Sequence, residues 1–174
     1  MPAYVALLRA VNVGGTGKLP MADLREMGEA CGFTAVRTFI ASGNLLFEDR
    51  RGEDEVKALI EAELAAFAGK RIPVLLRTAQ ELDAIIAADP FPDAHPSRHL
   101  IHFLDAPPPA DLIARCRDMN GERLSPGTRE LYVDYGEGIR FTRLKIPDTG
   151  DRTARNINSV RKMAALLSGP GDDG

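Results

Sequence analysis

YVALLRAV, residues 4–11, is an apolar run of strand length broken only by Arg9. A run without polar alternation suits a strand covered on both faces better than a half-exposed one, so it reads as the centre of a sheet. The elements that follow it can be placed around that centre. Pro20 opens a helix, Met21, Leu24, Met27 and Cys31 fall at helical spacing, and Gly32 supplies a left-handed stop. Residues 36–40 and 45–47 are β-prone, and Ala41, Ser42, Gly43 and Asn44 between them suit a tight turn, which predicts a hairpin. Val56, Leu59, Ile60, Leu64 and Phe67 form a helical stripe, and residues 73–77, beginning with Pro73, read as an edge strand. The order βαββαβ is then complete. Right-handed crossovers put both helices on one sheet face, the ferredoxin-like arrangement. The other face needs cover from further along the chain, because the central strand is apolar on both sides.

The second half is less regular. Thr78 and Glu81 form a capping box for a helix carrying Leu82, Ile85 and Ile86, which stops near Asp89 and Pro90 and bridges the halves. A strand at residues 100–104, a helix at 111–117 after three prolines, and strands near Arg123 and at 131–135 make a second βαββ. A last helix over residues 154–167 carries Ile157, Val160, Ala164 and Leu167 on one stripe, and residues 169–174 read as a disordered tail. The expectation is an α+β protein of two ferredoxin-like subdomains, residues 1–77 and 78–174, the second irregular and closed by the C-terminal helix.

Hydrophobic and charged fractions of 44% and 27% are ordinary for globular proteins and weigh against disordered and membrane classes. No apolar run approaches the roughly 20 residues that span a bilayer, and no signal-like segment opens the chain. Cys31 and Cys116 sit in helical patterns, which predicts packed, reduced thiols and a cytoplasmic location rather than a disulfide framework. The net charge of −3 conceals an asymmetry: between Arg140 and Lys162 seven basic residues face only Asp148 and Asp151, leaving the rest of the chain at −8. Such a segment is either a solvated charged surface or an anion-binding face.

Several polar residues are candidates for that chemistry. Arg9 shares a strand face with Val5, Leu7 and Val11, so its guanidinium is either salt-bridged inside the protein or exposed at the strand end and turned to a ligand. The loop NVGGTGK, residues 12–18, combines bare amides with Lys18, which suits phosphate, yet it has neither the P-loop nor the dinucleotide-turn spacing. Asn12 at the strand end can pin that loop or read a ligand. Ser42 and Asn44 are turn residues or ligand contacts, and no GxSxG elbow surrounds Ser42. Arg152 and Arg155 stand at the expected start of the last helix, with Thr153 as its N-cap and Asn156 following. Two cations at a helix N-terminus oppose the macrodipole, so either Asp148 and Asp151 or a bound anion compensates them. His95, His99 and His102 invite a metal reading, but His99 and His102 point to opposite strand faces and no further ligand completes a site, so no metal is expected.

AYVALLRAVNVGG at residues 3–15, MADLR at 21–25, FIASGNLLF at 39–47 and TARNINSV at 153–160 resemble, in order and over nearly the whole chain, the signature blocks of a widespread bacterial family known as domain of unknown function 1697. The resemblance implies a pair of ferredoxin-like units and brings no established activity. The chain differs from the common pattern at Ala10 in place of Gly, Ala41 in place of Gln and Ile157 in place of Trp; if that Gln and Trp touch a ligand in relatives, its recognition differs here. The blocks coincide with Arg9, Asn12, Ser42, Asn44, Arg155 and Asn156.

Together these residues predict a binding module, without cofactor, for a phosphate-bearing small molecule such as a nucleotide, or for nucleic acid. Nucleic acid is the weaker partner, since the strands lack interleaved aromatics and the chain is acidic. The alternative is a metal-independent enzyme acting on a phosphorylated or carboxylated metabolite, which lacks an evident general base. A third reading is a purely structural or oligomerising protein, and the oligomeric state stays open.

Overall fold

A computed structural model describes residues 1–9, 19–39 and 43–168. The chain divides into two compact units, Met1–Leu82 with Met163–Gly174, and Asp83–Lys162. It is a mixed α+β protein with two four-stranded antiparallel sheets. Among the described residues no helix is long and apolar enough to cross a membrane.

The first unit contains β1 (Ala3–Leu8), α1 (Met21–Ala30), β2 (Thr34–Thr38), β3 (Asn44–Glu48), α2 (Glu53–Ala68) and β4 (Val74–Thr78). Its strand order is β2-β3-β1-β4, with β1 antiparallel to both β3 and β4. Tyr4, Ala6 and Leu8 of β1 join a core with Leu24 and Met27 of α1 and Val56, Ile60 and Leu64 of α2. Val5 and Leu7 on the opposite face are completely buried too, so the unbroken apolar run is a strand covered on both sides. Removing one such leucine from water is worth roughly 2 kcal/mol.

Local chemistry sets the helix ends. Pro20 precedes α1, and Gly32 just beyond it has φ +86°, a conformation that costs other residues strain. Gly28 lets α1 lie close on the sheet, since a Cβ there would meet Leu45 Cδ2 at 3.0 Å. The first turn of α2 carries Glu53, Asp54 and Glu55, which favour the positive end of the helix dipole. Thr78 and Glu81 make the expected capping box at the start of α3 (Ala79–Ala87), with amide bonds of 2.9 and 3.1 Å.

The second unit contains β5 (His99–Leu104), β6 (Arg123–Pro126), β7 (Glu130–Asp134) and β8 (Arg152–Asn156), ordered β6-β7-β5-β8, and it begins α4 (Ile157–Ser168). This repeats the order of the first sheet with its helices reduced. Two expectations are corrected. The helix expected at 111–117 is a single 3-10 turn, Ile113–Arg115. After Cys116 the chain extends, and Arg117 forms an antiparallel bridge with Lys145 through amide bonds of 3.0 and 2.9 Å, which helical residues could not make. Leu112 is buried with Leu131, Val133 and Tyr135, so the short turn still closes the core.

The last helix starts at Ile157, not 154. Residues Arg152–Asn156 form β8 instead, pairing with β5 in the register Ile101↔Arg155 and Leu100↔Asn156. Arg152 and Arg155 therefore lie in a strand and do not oppose a helix dipole. Asn156, rather than Thr153, is the N-cap: its Oδ1 accepts the Ser159 amide at 2.9 Å. Asn156→Ala should lower stability in urea denaturation by about 1 kcal/mol, and Asn156→Asp should recover most of it, because both original residue and replacement accept that amide bond.

Candidate functional site

The polar residues marked by the sequence belong to both units. In the first unit the Leu8 amide donates to Gly43 O at 2.9 Å and Leu7 pairs with Asn44, so Arg9 and Asn44 stand at the same end of the sheet. Arg9 is exposed just beyond β1, as the strand-end reading required, with its amide bonded to Pro73 O at 3.0 Å. Asn44 is fully buried, and its Nδ2 donates to Phe39 O at 2.9 Å while its own carbonyl accepts the Phe39 amide, which closes the hairpin. Asn12, Lys18 and Ser42 lie outside the described residues.

Arg155 and Asn156 belong to the second unit. The Arg155 guanidinium is buried and donates to Thr153 Oγ1 at 2.8 Å and Ala154 O at 2.9 Å, and burial pushes its pKa down to about 10. Asn156 spends its side-chain oxygen on the cap of α4.

This unit also holds a cationic cavity that no local sequence signal announces. It has a volume of about 480 Å³ and is lined by Arg115, Cys116, Arg117, Lys145 and Pro147, with Ala114 and Ile146. The Arg117↔Lys145 bridge builds it, because residues directly opposite in an antiparallel pair carry their side chains on the same side. Both are exposed, and like charges so placed destabilise the pair. Acidic compensation is thin: Lys145 Nζ lies 3.5 Å from Asp118 and Arg115 Nη1 3.5 Å from Asp111, both at open surface. Among the described residues Arg117 has no ion-pair partner. Arg152 donates to the carbonyl of lining Pro147 at 3.3 Å and adds a fourth cation nearby. Burial raises the Cys116 thiol pKa, and Arg152 and Arg115 only partly offset it.

The family described as protein of unknown function, DUF1697, matches residues 1–132. The chain belongs to that family. No curated protein matches it. Among solved structures it is similar to the conserved bacterial protein SP0830 from Streptococcus pneumoniae, with a TM-score of 0.77 over 95% of this chain and 98% of that one, at 21% identity. At that identity the likeness establishes the fold alone.

In this DUF1697 chain the histidines have partners within the second unit. His99 Nε2 lies 2.7 Å from Asp89 Oδ1, and His102 Nε2 lies 3.0 Å from the Tyr135 hydroxyl. Among the described residues no three His, Cys, Asp or Glu side chains gather as a metal site. Nothing in the sequence announced the His102–Tyr135 pair, whose members are 33 positions apart. Burial, and secondarily Arg152, push the His102 pKa down to about 4.

A histidine with an unfolded pKa near 6.5 and a folded pKa of about 4 takes up its proton more readily when unfolded. Its contribution to stability is therefore complete above pH 6.5 and is lost as pH falls towards 4. Urea titrations across that window should show a loss on the order of 3 kcal/mol attributable to this group. His102→Gln should flatten the profile there, and an unchanged slope would contradict the assignment.

Proposed function

We propose that the protein is a binding module for a phosphate-bearing ligand of nucleotide type, held in the second unit by Arg115, Arg117 and Lys145. The observation that carries this reading is the placing of Arg117 opposite Lys145 on one wall of the cavity, where the chain accepts a like-charge pair. An anion seated between them converts that repulsion into two charge-assisted contacts. The cavity volume of about 480 Å³ suits a nucleotide-sized molecule. The basic excess from Arg140 to Lys162 adds long-range attraction for anions. Burial keeps the Cys116 thiol protonated, which favours binding over nucleophilic chemistry at this wall.

Arg9 is a further exposed cation at the end of β1 and supports a second phosphate contact in the first unit. Asn44, Arg155 and Asn156 contribute by holding the hairpin, β8 and α4 in place through the bonds already described.

Thermal-shift and calorimetric titrations with ATP, pyrophosphate and a mixed oligonucleotide test the reading. ATP or pyrophosphate should stabilise the wild type in a salt-sensitive manner, by about 2.7 kcal/mol at a hundredfold excess over Kd. Arg117→Ala with Lys145→Ala should weaken binding at least about tenfold, the loss of two charge-assisted bonds, while leaving the ligand-free protein as stable or slightly more so. Equal response in the double variant, or none in the wild type, would overturn it. A steep salt dependence seen with the oligonucleotide alone would transfer the assignment to nucleic acid.

A further inference from the structure

A second cavity of the same unit, about 240 Å³ in volume, shares no lining residue with the cationic one. Its walls are Asn120, Glu122, Tyr135, Glu137, Gly138, Phe141 and Thr142. The chemistry is opposite in sign and partly aromatic. Glu122 is 7% exposed, and its two oxygens accept the Asn120 amide and the Thr142 hydroxyl, each at 2.5 Å. Burial acts to raise its pKa, but these bonds and its own amide outweigh that and hold the carboxyl below the usual range.

Glu122 is thus an ionised carboxylate at a buried position whose hydrogen-bond donors, among the described residues, are all neutral. Buried charges are normally paired, and here the described donors to the carboxylate are uncharged, which leaves it able to take a cationic partner. Exposed Glu137 adds a second negative charge on the wall. The aromatic groups suit the same ligand. Tyr135 is held in place through its hydroxyl by His102, and Phe141 leaves 67% of its surface exposed at the mouth. Phe141 carries the Arg140 guanidinium 5.4 Å from its ring centroid, so this ring already serves as a cation contact. Met119 and Ile139, 44% and 43% exposed, add apolar surface beside these lining loops for an alkyl stem.

We propose that the Glu122–Tyr135–Phe141 cavity binds an organic ammonium group on a short alkyl chain. The carboxylate pairs with the ammonium, the rings bracket it, and the volume admits a side-chain-sized ligand rather than a nucleotide. Free amines and the lysyl side chain of a peptide share this chemistry. The inference does not depend on the phosphate reading.

Amide-resolved NMR titration with n-butylammonium and with N-acetyl-lysine methylamide tests it, using n-butanol as the neutral control and sodium chloride for ionic strength. Saturable shifts confined to residues 119–142 are expected from both ammonium probes and not from butanol. Whichever ammonium probe binds more tightly identifies the source, free amine or lysyl group. Phe141→Ala should weaken binding about threefold, as loss of an exposed cation–π contact does. Glu122→Gln should weaken it about tenfold or more by removing the charge partner. Arg117→Ala with Lys145→Ala should leave these shifts unchanged, which separates this site from the phosphate cavity. If Glu122→Gln does not fold, Phe141→Ala still decides, because its ring lies at the surface. Absence of saturable shifts, equal shifts with butanol, or an unaltered affinity in Phe141→Ala would overturn the proposal.

Discussion

Double-sided burial of a central strand is the constraint on which the first unit depends. Val5, Ala6 and Leu7 are fully buried, and β1 hydrogen-bonds to β3 on one side and β4 on the other, so its backbone groups have partners and its side chains have none of the polar work of a half-exposed strand. Once β1 is central, right-handed crossovers leave few places for the other strands, and the order β2-β3-β1-β4 follows. That order brings Arg9 to the sheet end where Leu8 bonds Gly43 and where Asn44 locks the hairpin. Asn44 uses its side-chain amide to hold the hairpin, while Arg9 stays exposed.

The second unit reaches the same strand order with less helix, and the difference creates its sites. With three prolines ahead of it, the segment after β5 makes one 3-10 turn and then extends to pair with Lys145. The pairing satisfies two backbone amides at the cost of opposing two cations. That compromise supplies the positive wall of the larger cavity. On the other lining set, Glu122 accepts two neutral donors and lacks a described cation, so the two cavities carry opposite charge within one small unit. Buried His102 and Tyr135 tie β5 to the end of β7, and Tyr135 is one of the residues that shapes the acidic cavity.

Elements whose signals are local were legible in the sequence. Tyr4 to Leu8 announced a covered strand by lacking alternation, Gly32 and the Thr78–Glu81 pair announced helix ends, and the hairpin followed from Gly43 and Asn44. The site was far less legible. Arg117 and Lys145, or Glu122 and Thr142, are each about as far apart in sequence as unrelated surface residues, and no spacing rule connects them. The segment at residues 152–156 misled for a related reason: its Thr-Ala-Arg-Asn string is acceptable at a helix start, and only the open edge of β5 makes it a strand.

What this sequence determined by itself is therefore the α+β class, the βαββαβ order and the two-sided core, because hydrophobic period, glycine conformation and capping act over a few residues. The tertiary structure alone decided where the charges meet. Strand pairing between distant segments sets Arg117 against Lys145, moves Arg155 from a helix terminus into β8, and seats the Glu122 carboxylate beside Tyr135. Those outcomes depend on competition for backbone hydrogen-bond partners across the fold, and that competition is settled only when the sheet has closed around β5.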